Sequence, residues 1–367
     1  MQADASAIGT LFERIVERER DLAPRLLDRT TVERLDLSYV EAARRWSAAI
    51  WAAAEVLGPA APTADAVERG LAHAQRPVFI CGAHRSGTTL LRDLLDGHPA
   101  LAVLPFETSF YTHFRRHQAS ASAKEQLSSM GQEWLRRLVN PNNQAPFWLL
   151  GHSHRLHSPY VDLAQAFQGW QDTLERRPGG SPPPSLLIAF ALAYAGGSLG
   201  SVRMWVEKTP TNEQFLDAIL ADFPAARILH VIRRPEEAYS SHKALRSGRS
   251  VRSAAREIRN LARSYAVAVE RSRSLSGSYH LVRYEDLAAS PGAVMDGVAG
   301  FLGIEPLAVL TRPTVAGLPA GRNTSFPKGR PGPAHGLGRL ERVLLALVLG
   351  RNAARLGYSR HPFKRRP

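Results

Sequence analysis

Pro77-Val78-Phe79-Ile80-Cys81-Gly82-Ala83-His84-Arg85-Ser86-Gly87-Thr88-Thr89-Leu90-Leu91 is the stretch that decides the fold. Its first half is a short run of apolar, largely β-branched or aromatic residues, the composition of a buried strand. A Gly/Ser/Thr loop follows, with its glycines spaced G-x-x-x-x-G. From Thr88 the apolar pattern Leu90, Leu91, Leu94, Leu95 has the period of a helix. Strand, glycine loop and helix in that order turn backbone N–H groups around an anion, and the helix N-terminus adds a positive partial charge. A metal-dependent γ-phosphoryl transfer would also need a lysine directly after the second glycine and a hydroxyl for magnesium. Here Thr88 stands in the lysine's place, and the cation lies inside the loop as Arg85. The loop suits a phosphate but serves γ-phosphoryl transfer poorly.

Three more apolar runs outward from this segment predict strands: Met204–Val206, Ile228–Ile232 and His280–Val282. Helical segments separate them, which predicts an α/β fold, a three-layer domain with a central parallel sheet. Residues 1–75 read as a helical N-terminal extension, and residues 76–367 as the main domain, with a helical insertion around 110–200. Stretches 119–130, 177–184 and 327–338 read as loops. Leu186–Val202 is apolar but interrupted by glycines, and predicts a buried helix rather than a membrane span. A last amphipathic segment, 340–356, reads as a packing helix.

The second chemical motif is Arg227-Ile228-Leu229-His230-Val231-Ile232-Arg233-Arg234-Pro235, with Ser241 eight residues beyond Arg233. An arginine at a strand's C-terminal end can grip a phosphate bidentately, and a serine at that separation can donate another hydrogen bond. Val282-Arg283-Tyr284-Glu285-Asp286-Leu287 and Glu207-Lys208-Thr209-Pro210 also follow predicted strands. In open parallel sheets ligands bind beyond the C-terminal strand ends, so all four segments are consistent with one shared site.

Arg85-Ser86-Gly87-Thr88-Thr89-Leu90-Leu91, together with Arg233 and Ser241, resembles the donor site of the P-loop sulfotransferases. These enzymes depend on PAPS (3′-phosphoadenosine-5′-phosphosulfate). The arginine in the loop is similar to the tyrosylprotein, carbohydrate and bacterial forms, whereas the cytosolic branch carries lysine there. The resemblance implies a P-loop NTPase-like domain and transfer of a sulfuryl group from PAPS to a hydroxyl or amine. It also implies that Arg85, Ser86, Gly87, Thr88 and Thr89 hold the 5′-phosphosulfate, that Arg233 and Ser241 hold the 3′-phosphate, and that Tyr284 lies against the adenine. Arg85 and Lys208 would stabilise the leaving oxygen. Glu107, in Leu104-Pro105-Phe106-Glu107-Thr108, would be the general base, one residue further from the loop than in the tyrosylprotein enzymes. His84, His98 and His113 are reserve bases, and the basic loop Gly321–Arg330 would close over the donor.

The 47 Lys+Arg and 33 Asp+Glu leave a net charge of +14, a field that attracts anions without choosing among nucleic acid, acidic lipid and a phosphorylated cofactor. The single cysteine, Cys81, excludes an intrachain disulfide and points to a reducing, cytoplasmic compartment. The opening residues lack a basic region followed by an apolar one, so no signal peptide is expected. His152, His154 and His157 have neither cysteine nor paired carboxylate nearby, and no metal is expected. The basic stretch from Lys243 to Arg263 could follow a nucleic-acid backbone, but it lacks interleaved aromatics and any recognised DNA-binding spacing. An unusual P-loop kinase is the other alternative reading. The expected partner is an acceptor that is a small molecule, carbohydrate, lipid or peptide; a homodimer is left open.

Overall fold

Why the glycine-loop segment seeds a sheet is visible in its burial. Strand β1 (Val78–Cys81) is buried at every position, as a central parallel strand covered on both faces must be. The computed structural model describes residues 44, 47, 48, 50–117, 120–139, 160–177, 182–243, 251–275, 277–319 and 337–358. The other strands of the main sheet are β2 (Leu101–Val103), β3 (Met204–Lys208), β4 (Arg227–Ile232) and β5 (Tyr279–Arg283), in the order β2-β3-β1-β4-β5. β1 runs parallel to β3, with Val78 opposite Val206, and to β4, with Ile80 opposite Leu229. β4 runs parallel to β5, with Val231 opposite Val282. The chain leaves β1 toward the β2 edge but leaves its neighbour β4 toward the β5 edge. The crevice beyond these two strands is therefore a topological switch point, where open α/β sheets bind ligands.

The fold class is the one expected, a parallel sheet with flanking helices. All four anticipated strands are present: Val78–Cys81 lies within the first apolar run, and the other three extend one or two residues beyond theirs. β2 is an addition of only three residues, too short for its pattern to stand out. Two loop expectations fail in part: a helix over Ala123–Val139 begins within the expected loop 119–130, and another begins at Pro182 within the expected loop 177–184. Residues 178–181 and 327–336 of the expected loops lie outside the described residues. The start of the Ala123–Val139 helix is a capping box. Ser122 Oγ accepts from the Glu125 amide at 3.3 Å, and Glu125 Oε2 accepts from the Ser122 amide at 2.8 Å. That reciprocal pairing starts a helix in a segment whose composition reads as loop. The apolar stretch from Leu186 is a buried helix, as expected, over Pro182–Ala195; a tight turn at Gly196–Gly200 ends it. Among the described residues no helix is long and apolar enough to cross a membrane.

The chain divides into two compact units. One comprises residues 1–74, 102–205 and 315–318. Its core is aromatic: Phe167 meets Trp51, Trp134 and Phe190 with ring centroids 6.1, 5.9 and 5.3 Å apart, and Phe106 meets Phe190 edge-on at 5.6 Å. Residues 50–57 and Ala64–Ala74 in this unit are helical; most of residues 1–49 lie outside the described residues. The other unit comprises 75–101, 206–314 and 319–367. It contains α1 (Thr88–Leu95), α2 (Pro235–Lys243), α3 (Val251–Ser274) and α4 (Arg339–Arg355). One of its apolar clusters joins Ile232, Tyr239, Leu261 and Tyr265 to Leu345 and Leu349.

Candidate active site

Gly82 opens the loop with φ +141°, a conformation L side chains avoid, and a Cβ there would come within 2.3 Å of the Val231 carbonyl oxygen. Both its backbone groups are held. Its amide donates to Glu213 Oε2 at 2.9 Å, and its carbonyl accepts from the Thr211 amide at 3.0 Å. Ser86 turns inward, almost fully buried, with its hydroxyl donating to the Ala83 carbonyl at 2.7 Å. Ser86 thus serves the turn itself. Gly87 has φ +104°, and a Cβ there would meet Tyr284 Cδ2 at 2.3 Å, so the Tyr284 ring lies over the second glycine. Helix α1 then begins at Thr88 with no side-chain cap. The first hydrogen bond back to the loop is from the Leu91 amide to the Gly87 carbonyl, at 3.2 Å. The helical pattern leaves the amides of Thr88, Thr89 and Leu90 ahead of it without an intrahelical acceptor.

Arg85 sits in the left-handed region at φ 67°, which is costly for a non-glycine residue and needs surrounding contacts to persist. Its Nε donates to Ser241 Oγ at 3.1 Å. Arg233 reaches the same loop from the end of β4: its Nη1 donates to the Arg85 carbonyl at 3.3 Å, and its guanidinium lies 4.4 Å from the centre of the Tyr284 ring. Arg85, Ser241, Arg233, Tyr284 and Gly87 are thereby brought together from four separate chain segments. Desolvation, and then the charge of Arg233, lowers the Arg85 pKa from its usual value. The charge of Arg233 thus disfavours that of Arg85, a repulsion that an anion between them would relieve. Glu237 orients the arginines from below, taking Arg233 at 3.4 Å and Arg234 at 2.7 Å.

Lys208 ends β3, opposite Ile80 of β1, and is only 1% exposed, unlike a surface lysine beside a turn. Burial pushes the Asp93 carboxyl up to about 6, while Arg92 and, less strongly, Lys208 pull it back. Glu207 is absorbed by the turn it starts, accepting from Thr209 Oγ1 at 2.5 Å and Asn212 Nδ2 at 2.7 Å. Glu107 belongs to the other compact unit, in the loop after β2. There Arg137 Nη1 donates to the Glu107 carbonyl at 2.5 Å and to Ser109 Oγ at 2.7 Å. Among the reserve histidines, His98 is committed to the fold: Nε2 contacts the Glu305 carbonyl at 3.0 Å and Nδ1 accepts from the Ala100 amide at 3.1 Å. His84 lies near His242, with centroids 6.0 Å apart, and His113 near His117, at 4.4 Å.

Sequence reasoning missed Glu213 and Glu237. Each looks like an ordinary acidic residue in the first turn of a helix, and only the tertiary structure shows what it holds. Glu213 also lies with Cys81 and His230, their potential ligand atoms within 4.8 Å of one another. Hydrogen bonds hold the His230 ring and one oxygen of the Glu213 carboxyl. The imidazole contacts Tyr279 Oη at 2.5 Å and Ser264 Oγ at 2.9 Å, while Glu213 takes the Gly82 amide. Burial lowers the His230 pKa to about 3, keeping the ring neutral. His152, His154, His157 and the loop Gly321–Arg330 lie outside the described residues.

Comparison with known proteins places the sequence in a family. The pattern described as the Sulfotransferase family matches residues 77–308, well over half of the chain. Solved structures that the chain matches include the sulfotransferase domain of the Synechococcus PCC 7002 olefin synthase (19% identity, 74% of this chain and 92% of that one, TM-score 0.41). The sulfotransferase domain of the curacin biosynthetic pathway is 17% identical over 77% of this chain and 98% of that one, with a TM-score of 0.44. Sulfotransferase STF9 from Mycobacterium avium is 16% identical over 80% of each chain, also with a TM-score of 0.44. No curated protein matches. With its glycine loop and the arginine strand end both inside the matched span, this chain belongs to the sulfotransferase family.

Proposed function

We propose that the chain transfers the sulfuryl group of PAPS to an acceptor hydroxyl or amine. The observation that carries this reading is the convergence of Arg233 and Ser241 on Arg85, which makes one continuous cationic surface from the glycine loop to the end of β4. A nucleotide with anionic groups on both sides of its ribose complements that surface; a linear triphosphate does not use its far end. In this reading the loop amides, with Arg85, Ser86, Gly87, Thr88 and Thr89, hold the 5′-phosphosulfate. Arg233 and Ser241 hold the 3′-phosphate, the Ser241 hydroxyl keeping its proton to donate while its oxygen accepts from Arg85. Tyr284 flanks the adenine side.

Transfer is an in-line displacement: the acceptor oxygen or nitrogen bonds to sulfur as the bond to the phosphate oxygen breaks, leaving 3′-phosphoadenosine 5′-phosphate (PAP). Arg85 and Lys208 stabilise the charge arriving on that leaving oxygen, and Glu107 takes the acceptor's proton. PAP should raise the melting temperature by several degrees at saturation, whereas ATP at equal concentration should raise it far less. Protection by ATP and none by PAP would favour the kinase reading instead.

A further inference from the structure

The C-terminal helix α4 is apolar on two faces, and the fold uses one of them. Leu345, Leu349 and Ala353 enter the cluster around Tyr239 and Tyr265. On the other side Leu340 is 81% exposed, Leu347 77%, Val348 46%, Leu344 42% and Val343 37%. At about 3.6 residues per turn these five form one stripe roughly 12 Å long. Arg351 and Arg355, both exposed, continue the same line toward the helix C-terminus. Eight Lys/Arg and a single acid, Glu341, fall between residues 339 and 367. That acid is committed within the fold, pairing with Lys243 at 2.9 Å and accepting from the Gly338 amide at 2.9 Å.

We propose that this stripe seats the protein on an anionic membrane surface. Charge selects that occupant. A second copy of the helix, parallel or antiparallel, would cover the leucines but bring Arg351 and Arg355 against a surface with no free carboxylate to meet them. An anionic lipid interface satisfies both halves of the face: the leucines and valines enter the boundary of the acyl chains while the arginines stay among the headgroups. This inference is independent of how the donor is bound.

Flotation of the full chain with vesicles of mixed phosphatidylglycerol and phosphatidylcholine tests it, with pure phosphatidylcholine as control. The chain should float with the anionic vesicles, less so as salt rises, and not with the neutral ones. Leu340→Glu combined with Leu347→Glu should weaken binding at least about tenfold; Arg351→Glu with Arg355→Glu should abolish the preference for anionic lipid. All four positions are exposed, so unchanged melting temperatures are expected. Absence of flotation, or flotation undiminished in both variants, overturns the proposal. So does a lipid-free dimer in sedimentation velocity that the double leucine variant dissociates, which would make the stripe a contact between copies.

Discussion

Arg233 illustrates how one side chain can join two motifs. Its Nη1 touches the loop carbonyl of Arg85, its plane faces Tyr284, and Glu237 steadies it from the other side. Replacement by alanine would remove the charge-assisted contact to a 3′-phosphate proposed above, so PAP should then bind roughly 10- to 100-fold more weakly. Adenosine 5′-phosphosulfate, which lacks that phosphate, should lose much less. Calorimetric titration of both ligands separates these outcomes, and equal losses would mean that Arg233 only braces the loop. Its place at a strand end was readable in the sequence. That it leans on Arg85 was not, because 148 residues separate the two.

At the scale of elements, the turn that follows β3 anchors the loop that follows β1. Thr211 and Glu213 hold the two backbone groups of Gly82, and Glu213 is wholly buried. Burial pushes the Glu213 carboxyl up to about 7, with hydrogen bonding opposing it. A carboxyl whose pKa is higher folded than unfolded holds its proton more tightly in the native state. Its contribution to stability is full below about pH 4.3 and declines as pH rises to about 7. Glu213→Gln keeps an acceptor for the Gly82 amide but removes the titration, so its melting temperature should fall less than the parent's across that range. Glu213→Leu should leave the buried amide unpaired, at a cost of about 1–3 kcal/mol, and weaken PAP binding as well. Thermal melts at several pH values, with PAP titrations, check both variants. The capping box at Ser122 belongs to this scale too: its S-x-x-E spacing was present in the chain, but a polar neighbourhood hid it.

For the whole molecule, the residues proposed above to hold the donor and the residue proposed to take the proton fall in different compact units. Arg85, Lys208, Arg233, Ser241 and Tyr284 all belong to one unit and Glu107 to the other. Glu107→Gln should therefore bind PAP as the parent does while losing transfer by roughly 10²-fold or more, measured with labelled PAPS and an active acceptor. A loss of PAP affinity instead would move Glu107 out of the base's role. The sequence by itself determined the strands, the glycine loop and the cationic strand end, because each depends on local rules: which residues tolerate positive φ, which runs are apolar enough to bury, where a helix can begin. Tertiary structure alone decided which buried acids hold Gly82 and the arginines, that Lys208 is enclosed, and that the last helix leaves a second apolar face to solvent. Those outcomes depend on which distant segments meet, and residue spacing along a chain carries no record of that.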